Sequence, residues 1–138
     1  MNVYFYDIEN KLPLGNACQV PTMTELLNMS DVVSLHVPET ASTKNMFAKE
    51  QLTLMKPGAI LINASRGSVV DIPALAEALK SQRISGAAID VFPKEPAGNG
   101  DPSSSPLIGF DNVILTPHIG GSQRKKHRKI LVLKWLIS

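Results

Sequence analysis

The chain alternates between two hydrophobic rhythms. Short β-rich runs occur at "VYFYD" (3–7), "DVVSLHV" (31–37), "AILINAS" (59–65), "GAAIDVF" (86–92) and "NVILTPH" (112–118). Several are continuously apolar rather than alternating, which predicts strands buried on both faces of a parallel sheet. "ACQV" (17–20) predicts a further, edge strand. Between these runs the spacing turns helical. "TMTELLNM" (22–29) opens on Thr22 with Glu25 three residues on, the spacing of a capping box. "AKEQLTLM" (48–55) stops before the breaker Lys56-Pro57-Gly58. "DIPALAEALKSQ" (71–82) has Asp71 as N-cap, Pro73 in the first turn, and Leu75, Ala78 and Leu79 on one face. Strand, helix, strand, repeated, predicts βαβ units and an α/β fold on a twisted parallel sheet. Residues 93–111 form a Pro/Gly/Ser-rich loop, and loops of that length inside a domain are often functional.

Composition narrows the classes. A chain of 138 residues can bury one core, and an apolar share of 43% is ordinary for a globular protein. Cys18 is the single cysteine, so no internal disulfide forms. With an N-terminus that lacks a basic start, this points to a reducing, cytoplasmic setting. No apolar run is long enough to span a bilayer, so no membrane partner is expected. No Cys/His cluster has zinc spacing, so no metal is expected.

Charge is unevenly placed. Six of the 14 Lys/Arg residues (Arg124, Lys125, Lys126, Arg128, Lys129 and Lys134) lie in residues 123–138, which hold no acid. The rest of the chain carries eight bases against twelve acids. The body is mildly acidic, and the whole-chain pI says little about its partners. A charge run alone is thin ground for a nucleic-acid partner.

Ligands of open α/β sheets sit beyond the carboxyl ends of the strands, so the residues ending each run are the candidates. Asp7 ends the first. "HVP" ends the second, with Thr43 soon after. Ser65, Arg66 and Gly67 end the third. Asp90 ends the fourth, with Glu95 in the loop, and His118 ends the fifth. Each has a plain alternative: Asp7 as a turn residue, Arg66 as a surface cation, His118 as a structural imidazole, Glu95 as a solvated acid. Their joint placement on one sheet edge favours a site.

Three blocks, "LINASRGSVVDIPALAEAL", "GAAIDVFPKEP" and "NVILTPHIGGS", resemble the signature blocks of the D-isomer-specific 2-hydroxyacid dehydrogenases. The resemblance covers roughly residues 3–122. It implies a Rossmann-like domain binding NAD. Asp7 then matches the acid that accepts hydrogen bonds from the adenosine ribose diol. Ala64, Ser65, Arg66, Asp90 and the segment His118, Ile119, Gly120 and Gly121 match positions lining the nicotinamide. The missing Cβ of the two glycines lets backbone approach the cofactor. For catalysis, Arg66 matches the guanidinium that grips the substrate's carboxylate and carbonyl oxygens. His118 matches the general acid/base, and Glu95 the carboxylate that orients it and favours its protonated form. The 2-hydroxy acid implied is 3-phosphoglycerate, oxidised to 3-phosphohydroxypyruvate on the way to serine. The family also pairs its nucleotide-binding domains, so a homo-oligomer or association with an intact subunit is implied.

The sequence departs from the family pattern twice. A G-x-G-x-x-G turn is expected about twenty residues ahead of Asp7, yet six residues precede it. The expected fold is therefore an incomplete Rossmann-like, doubly wound parallel sheet. The first strand and glycine-rich turn are missing between the strands at 3–7 and 31–37, which leaves unpaired edges. The organisation expected is a partial NAD-binding domain at 1–122 and a tail at 123–138 outside the family pattern, with the isolated chain inactive. In that tail Ile130–Leu133 and Trp135–Ile137 are almost continuously apolar behind the cations, which is not an amphipathic helix. Codons chosen for "KKHRKILVLKW" can be read from the third base as "EAQENIGLEV", the helix the family carries there. The tail is thus expected to be a frame-shifted translation. Sequencing the coding DNA tests this: the shifted frame should spell that helix, and a frame that does not spell it removes the idea. A salt-sensitive DNA or anionic-lipid interaction lost on deleting 123–138 would favour a basic binding tail instead.

Overall fold

The computed structural model describes residues 1–93 and 105–118. Among these residues are six strands: β1 (Val3–Phe5), β2 (Ala17–Gln19), β3 (Val32–Leu35), β4 (Ala59–Asn63), β5 (Ile84–Ile89) and β6 (Val113–Leu115). The helices are α1 (Met23–Met29), α2 (Lys49–Leu54) and α3 (Ile72–Lys80), with a 3-10 turn at Gly67–Val69. All pairing is parallel, in two sheets: β1-β2, and β3-β4-β5-β6. This is the parallel α/β architecture expected, with the break between the strands at 3–7 and 31–37. The "ACQV" strand pairs with β1.

Helix starts follow their cap residues. The Thr22 hydroxyl accepts from the Glu25 N–H at 3.2 Å, and an Asp71 carboxylate oxygen accepts from the Ala74 N–H at 3.1 Å. These side chains satisfy donors that a first helical turn leaves unpaired. At α2 the Gln51 side chain reaches back to the Ala48 N–H at 3.2 Å. Its last turn is held from a distance: the Arg83 guanidinium donates to the Thr53 carbonyl and, at 2.7 Å, to the Met55 carbonyl.

Strand periodicity sorts the four-stranded sheet into two faces. Val33 pairs with Leu61, Leu61 with Ala87, and Ala87 with Val113; this row faces the helices. Val33, Leu61 and Ala87 are buried there with Leu27 of α1, Leu52 of α2 and Ile72, Leu75 and Leu79 of α3 in one cluster. The alternate row, Ser34, Ile62, Ala88 and Ile114, faces away. The strands are shorter than the apolar runs at their carboxyl ends, because residues there leave the ladder to form the loops of the site. β5 also starts earlier, at Ile84, where its register with β4 shifts between Ala59 and Ile60. Ser85 is solvent-exposed, and this one polar position hid the start of a buried strand.

Replacing Arg83 by Met keeps the apolar stem and removes the donors to the end of α2. Urea denaturation should show a loss of about 1–3 kcal/mol, the range for hydrogen bonds to a charged group. A change within error would mean those carbonyls are served equally well by water.

Candidate functional site

The carboxyl ends of β4, β5 and β6 frame an open hollow of about 170 Å³. Ile62, Ala88 and Ile114 form its apolar floor, with Ala64, Asp90 and Thr116 among the lining residues nearer the loops. The position agrees with the rule for parallel sheets, and an apolar floor with a few polar groups suits a flat heteroaromatic ring.

The β4 loop is organised by Asn63, the one buried polar residue among those described, with no solvent exposure. Its register partners are Leu35 and Ile89, so it stands in the apolar row facing the helices. Burying an amide there is costly unless its polar atoms are paired. Its Oδ1 accepts from the Ser65 N–H at 3.1 Å and the Ser65 hydroxyl at 2.9 Å, and its Nδ2 donates to the Arg66 carbonyl at 3.0 Å. The loop is therefore folded back on its own strand end. Next comes Gly67, where a Cβ would lie 2.0 Å from the carbonyl carbon and oxygen of Phe92. Only glycine allows the backbone after Arg66 to run that close to the backbone after β5.

Arg66 itself is exposed, and its Nη1 donates to the Ser65 carbonyl at 2.7 Å. From β5, Asp90 Oδ1 accepts from the Thr116 hydroxyl at 2.5 Å and from the His118 N–H at 3.1 Å. The Asp90 N–H in turn donates to the Asn63 carbonyl at 3.0 Å. His118 has a φ of 50°, an uncommon conformation for a residue with a Cβ, in which histidine is over-represented. Asp90 thus ties the chain leaving β6 to the end of β5, and the Asn63 backbone joins that pair to the Arg66 loop.

The remaining candidates fall elsewhere. Asp7 lies two residues past β1, where its Oδ1 accepts from the Glu9 N–H at 2.9 Å, the geometry of an Asx turn. Thr43 is engaged within its own loop, donating to the Pro38 carbonyl at 2.7 Å. Glu95, Ile119, Gly120 and Gly121 lie outside the described residues. Sequence reasoning passed over Asn63 and Thr116. The signal for Asn63 was an amide in the last core-facing position of an apolar strand, two residues before Ser65. His36, at the end of β3, also bonds through Nε2 to the Ser34 hydroxyl at 2.9 Å.

Residues 1–120 match the family model described as "D-isomer specific 2-hydroxyacid dehydrogenase, NAD binding domain". The chain belongs to this family. It is 68% identical over 130 residues to D-3-phosphoglycerate dehydrogenase of Escherichia coli K12, matching 94% of this chain and 32% of that protein. The Saccharomyces cerevisiae D-3-phosphoglycerate dehydrogenase 1 is 50% identical, over 94% of this chain and 29% of its own length. Among solved structures, the NAD-complexed D-isomer specific 2-hydroxyacid dehydrogenase of Lactobacillus delbrueckii ssp. bulgaricus superposes with a TM-score of 0.78 at 34% identity. The match covers 86% of this chain and 39% of that one. The chain therefore spans about a third of the length of the curated relatives it matches. As a member of this NAD-binding domain family it has NAD as its cofactor.

Replacing Asn63 by Ala leaves the Ser65 N–H and the Arg66 carbonyl without their partner. The expected loss is about 1–3 kcal/mol in urea denaturation, the cost of unpaired polar groups. Asn63→Asp keeps the acceptor and loses the donor. An Ala variant as stable as the parent would show that the loop does not depend on this amide.

Proposed function

We propose that this chain carries the cofactor-side half of an NAD-dependent 2-hydroxyacid dehydrogenase site specific for 3-phosphoglycerate, and that the polypeptide alone does not turn over. The observation that carries this reading is the linked Arg66 loop, Asp90 and His118 at the carboxyl ends of adjacent parallel strands. The 68% identity to the Escherichia coli D-3-phosphoglycerate dehydrogenase supports the substrate. We place the setting in the cytoplasm.

The residues fit the cofactor in part. The apolar floor of Ile62, Ala88 and Ile114 suits the nicotinamide side. Ala64, Ser65, Asp90 and His118 to Gly121 would border it, and Asp7 would receive the ribose hydroxyls. The sequence contains no G-x-G-x-x-G for the pyrophosphate. When bound, NAD supplies the acceptor for the hydride from the substrate's hydroxyl-bearing carbon. Arg66 holds the substrate carboxylate through its planar donors. The His118 imidazole takes the hydroxyl proton as that C–H bond breaks, and Glu95 steadies the imidazolium. Asp90 serves this step by fixing the backbone N–H of His118.

A second reading, an interaction module that associates with an intact homologous subunit, is favoured by the outer edge of β3, which pairs with no strand among the described residues. Calorimetric titration with NAD separates the two: heat of binding is expected for the cofactor-side half and none for the interaction module. In an absorbance assay for NADH from 3-phosphoglycerate the expected result is no turnover. Clear NADH formation would overturn the claim that the chain alone is inactive.

A further inference from the structure

The apolar floor of the hollow ends in a polar pair that the sheet itself aligns. Ala88 of β5 is the register partner of Ile114 of β6. Two residues on along each chain, Asp90 and Thr116 stand on the same face of the sheet. Both line the hollow together with Ala88 and Ile114. The Thr116 N–H donates to the Ile89 carbonyl at 3.0 Å, which continues the ladder past the end of β6 and holds the backbone under the pair.

The two oxygens of Asp90 are used differently. Oδ1 accepts from the Thr116 hydroxyl at 2.5 Å and from the His118 N–H at 3.1 Å. Oδ2 accepts no hydrogen bond among the described residues. A carboxylate accepts equally well at both ends, so two donors converging on one oxygen are what keep this one from turning. Neither donor is a cation, so Asp90 is held in place without its charge being cancelled. The ion pairs among the described residues join Lys11 to Glu9 and Lys56 to Asp31, and none includes Asp90. The hollow therefore offers a ligand an anionic acceptor in a fixed position beside an apolar floor.

Such an acceptor has a chemical preference. A flat ring laid on Ile62, Ala88 and Ile114 gains apolar contact whatever its substituent. A substituent that donates an N–H is favoured beside Oδ2, and one that is itself a carboxylate meets like charge. We propose that Thr116 is a positioning residue that makes Asp90 a selector between amide-bearing and acid-bearing rings. The site then takes the carboxamide form of a pyridine dinucleotide and rejects the deamidated form, whose ring bears a carboxylate. This rests on the reading of the hollow as the nicotinamide side of a cofactor site.

Calorimetric titration of the full chain with NAD and with deamidated NAD tests it through the ratio of the two dissociation constants. A ratio cancels any general loosening that a substitution causes. The parent should bind NAD about tenfold tighter or more, the scale of one hydrogen bond to a charged group. Thr116→Val is nearly isosteric, frees the carboxylate to turn, and should shrink the ratio to about threefold or less. Thr116→Ser keeps the hydroxyl and should restore it. Asp90→Asn is the sharper case. The Thr116 and His118 donors still require an oxygen at their end of the side chain, so an N–H donor replaces Oδ2 and the preference should reverse. Circular dichroism melts verify the fold of each variant, and if Thr116→Val does not fold, the parent and Asp90→Asn ratios decide. A parent ratio near one would overturn the proposal. So would a Thr116→Val ratio equal to the parent's, or an Asp90→Asn chain that still prefers NAD. These three outcomes leave the cofactor reading standing. A parent that binds neither dinucleotide would overturn that reading and this inference with it.

Discussion

The site is anchored by one buried amide. Asn63 occupies a core-facing position between Leu35 and Ile89, where an aliphatic residue would be expected. Its desolvation is offset because both ends of the amide are paired, and those pairs set the path of the loop carrying Ser65 and Arg66. The same residue's carbonyl receives the Asp90 N–H, so the amide fixes one loop and the backbone fixes the start of the next. The polar chemistry at the sheet edge is built outward from a group that itself touches no solvent.

Close backbone packing does the complementary work. Gly67 brings the chain after Arg66 against the Phe92 carbonyl, while Asp90 draws Thr116 and His118 toward β5. Three loops from adjacent strands are thereby held together with few long side chains, at the place where a parallel sheet directs its carboxyl ends. The two faces of the sheet divide the tasks. The helix-side row supplies cohesion through Leu61, Leu75 and their neighbours, and the other row, with Ile62, Ala88 and Ile114, supplies a flat apolar floor.

Much of this architecture was legible because parallel strands leave a strong imprint, a short continuous apolar run. Every run read as a strand overlaps one, and the caps at Thr22 and Asp71 mark true helix starts. The strand ends were less legible. Asn63, Ala64 and Ser65 continue an apolar-to-small pattern, and only the side-chain bonds of Asn63 show where the ladder stops. The start of β5 was hidden by Ser85, and the separation into two sheets depends on edge pairing that no local pattern encodes. Among site residues, Arg66, Asp90 and His118 stood out as charged or titratable groups after apolar runs. Thr116 and Asn63 did not, since their roles are hydrogen bonds within the protein.

The side chain of Asn63 reaches no further than Arg66. A ring of two or three residues loses little chain entropy on closing, so the loop's shape is decided almost as soon as the end of β4 is buried. Distant parts of the polypeptide have little say in it. The turn carrying Arg66 is in this sense a portable fitting: wherever the hexapeptide "NASRGS" ends a buried parallel strand beside a close-packed neighbour, the same turn should form with its guanidinium outermost.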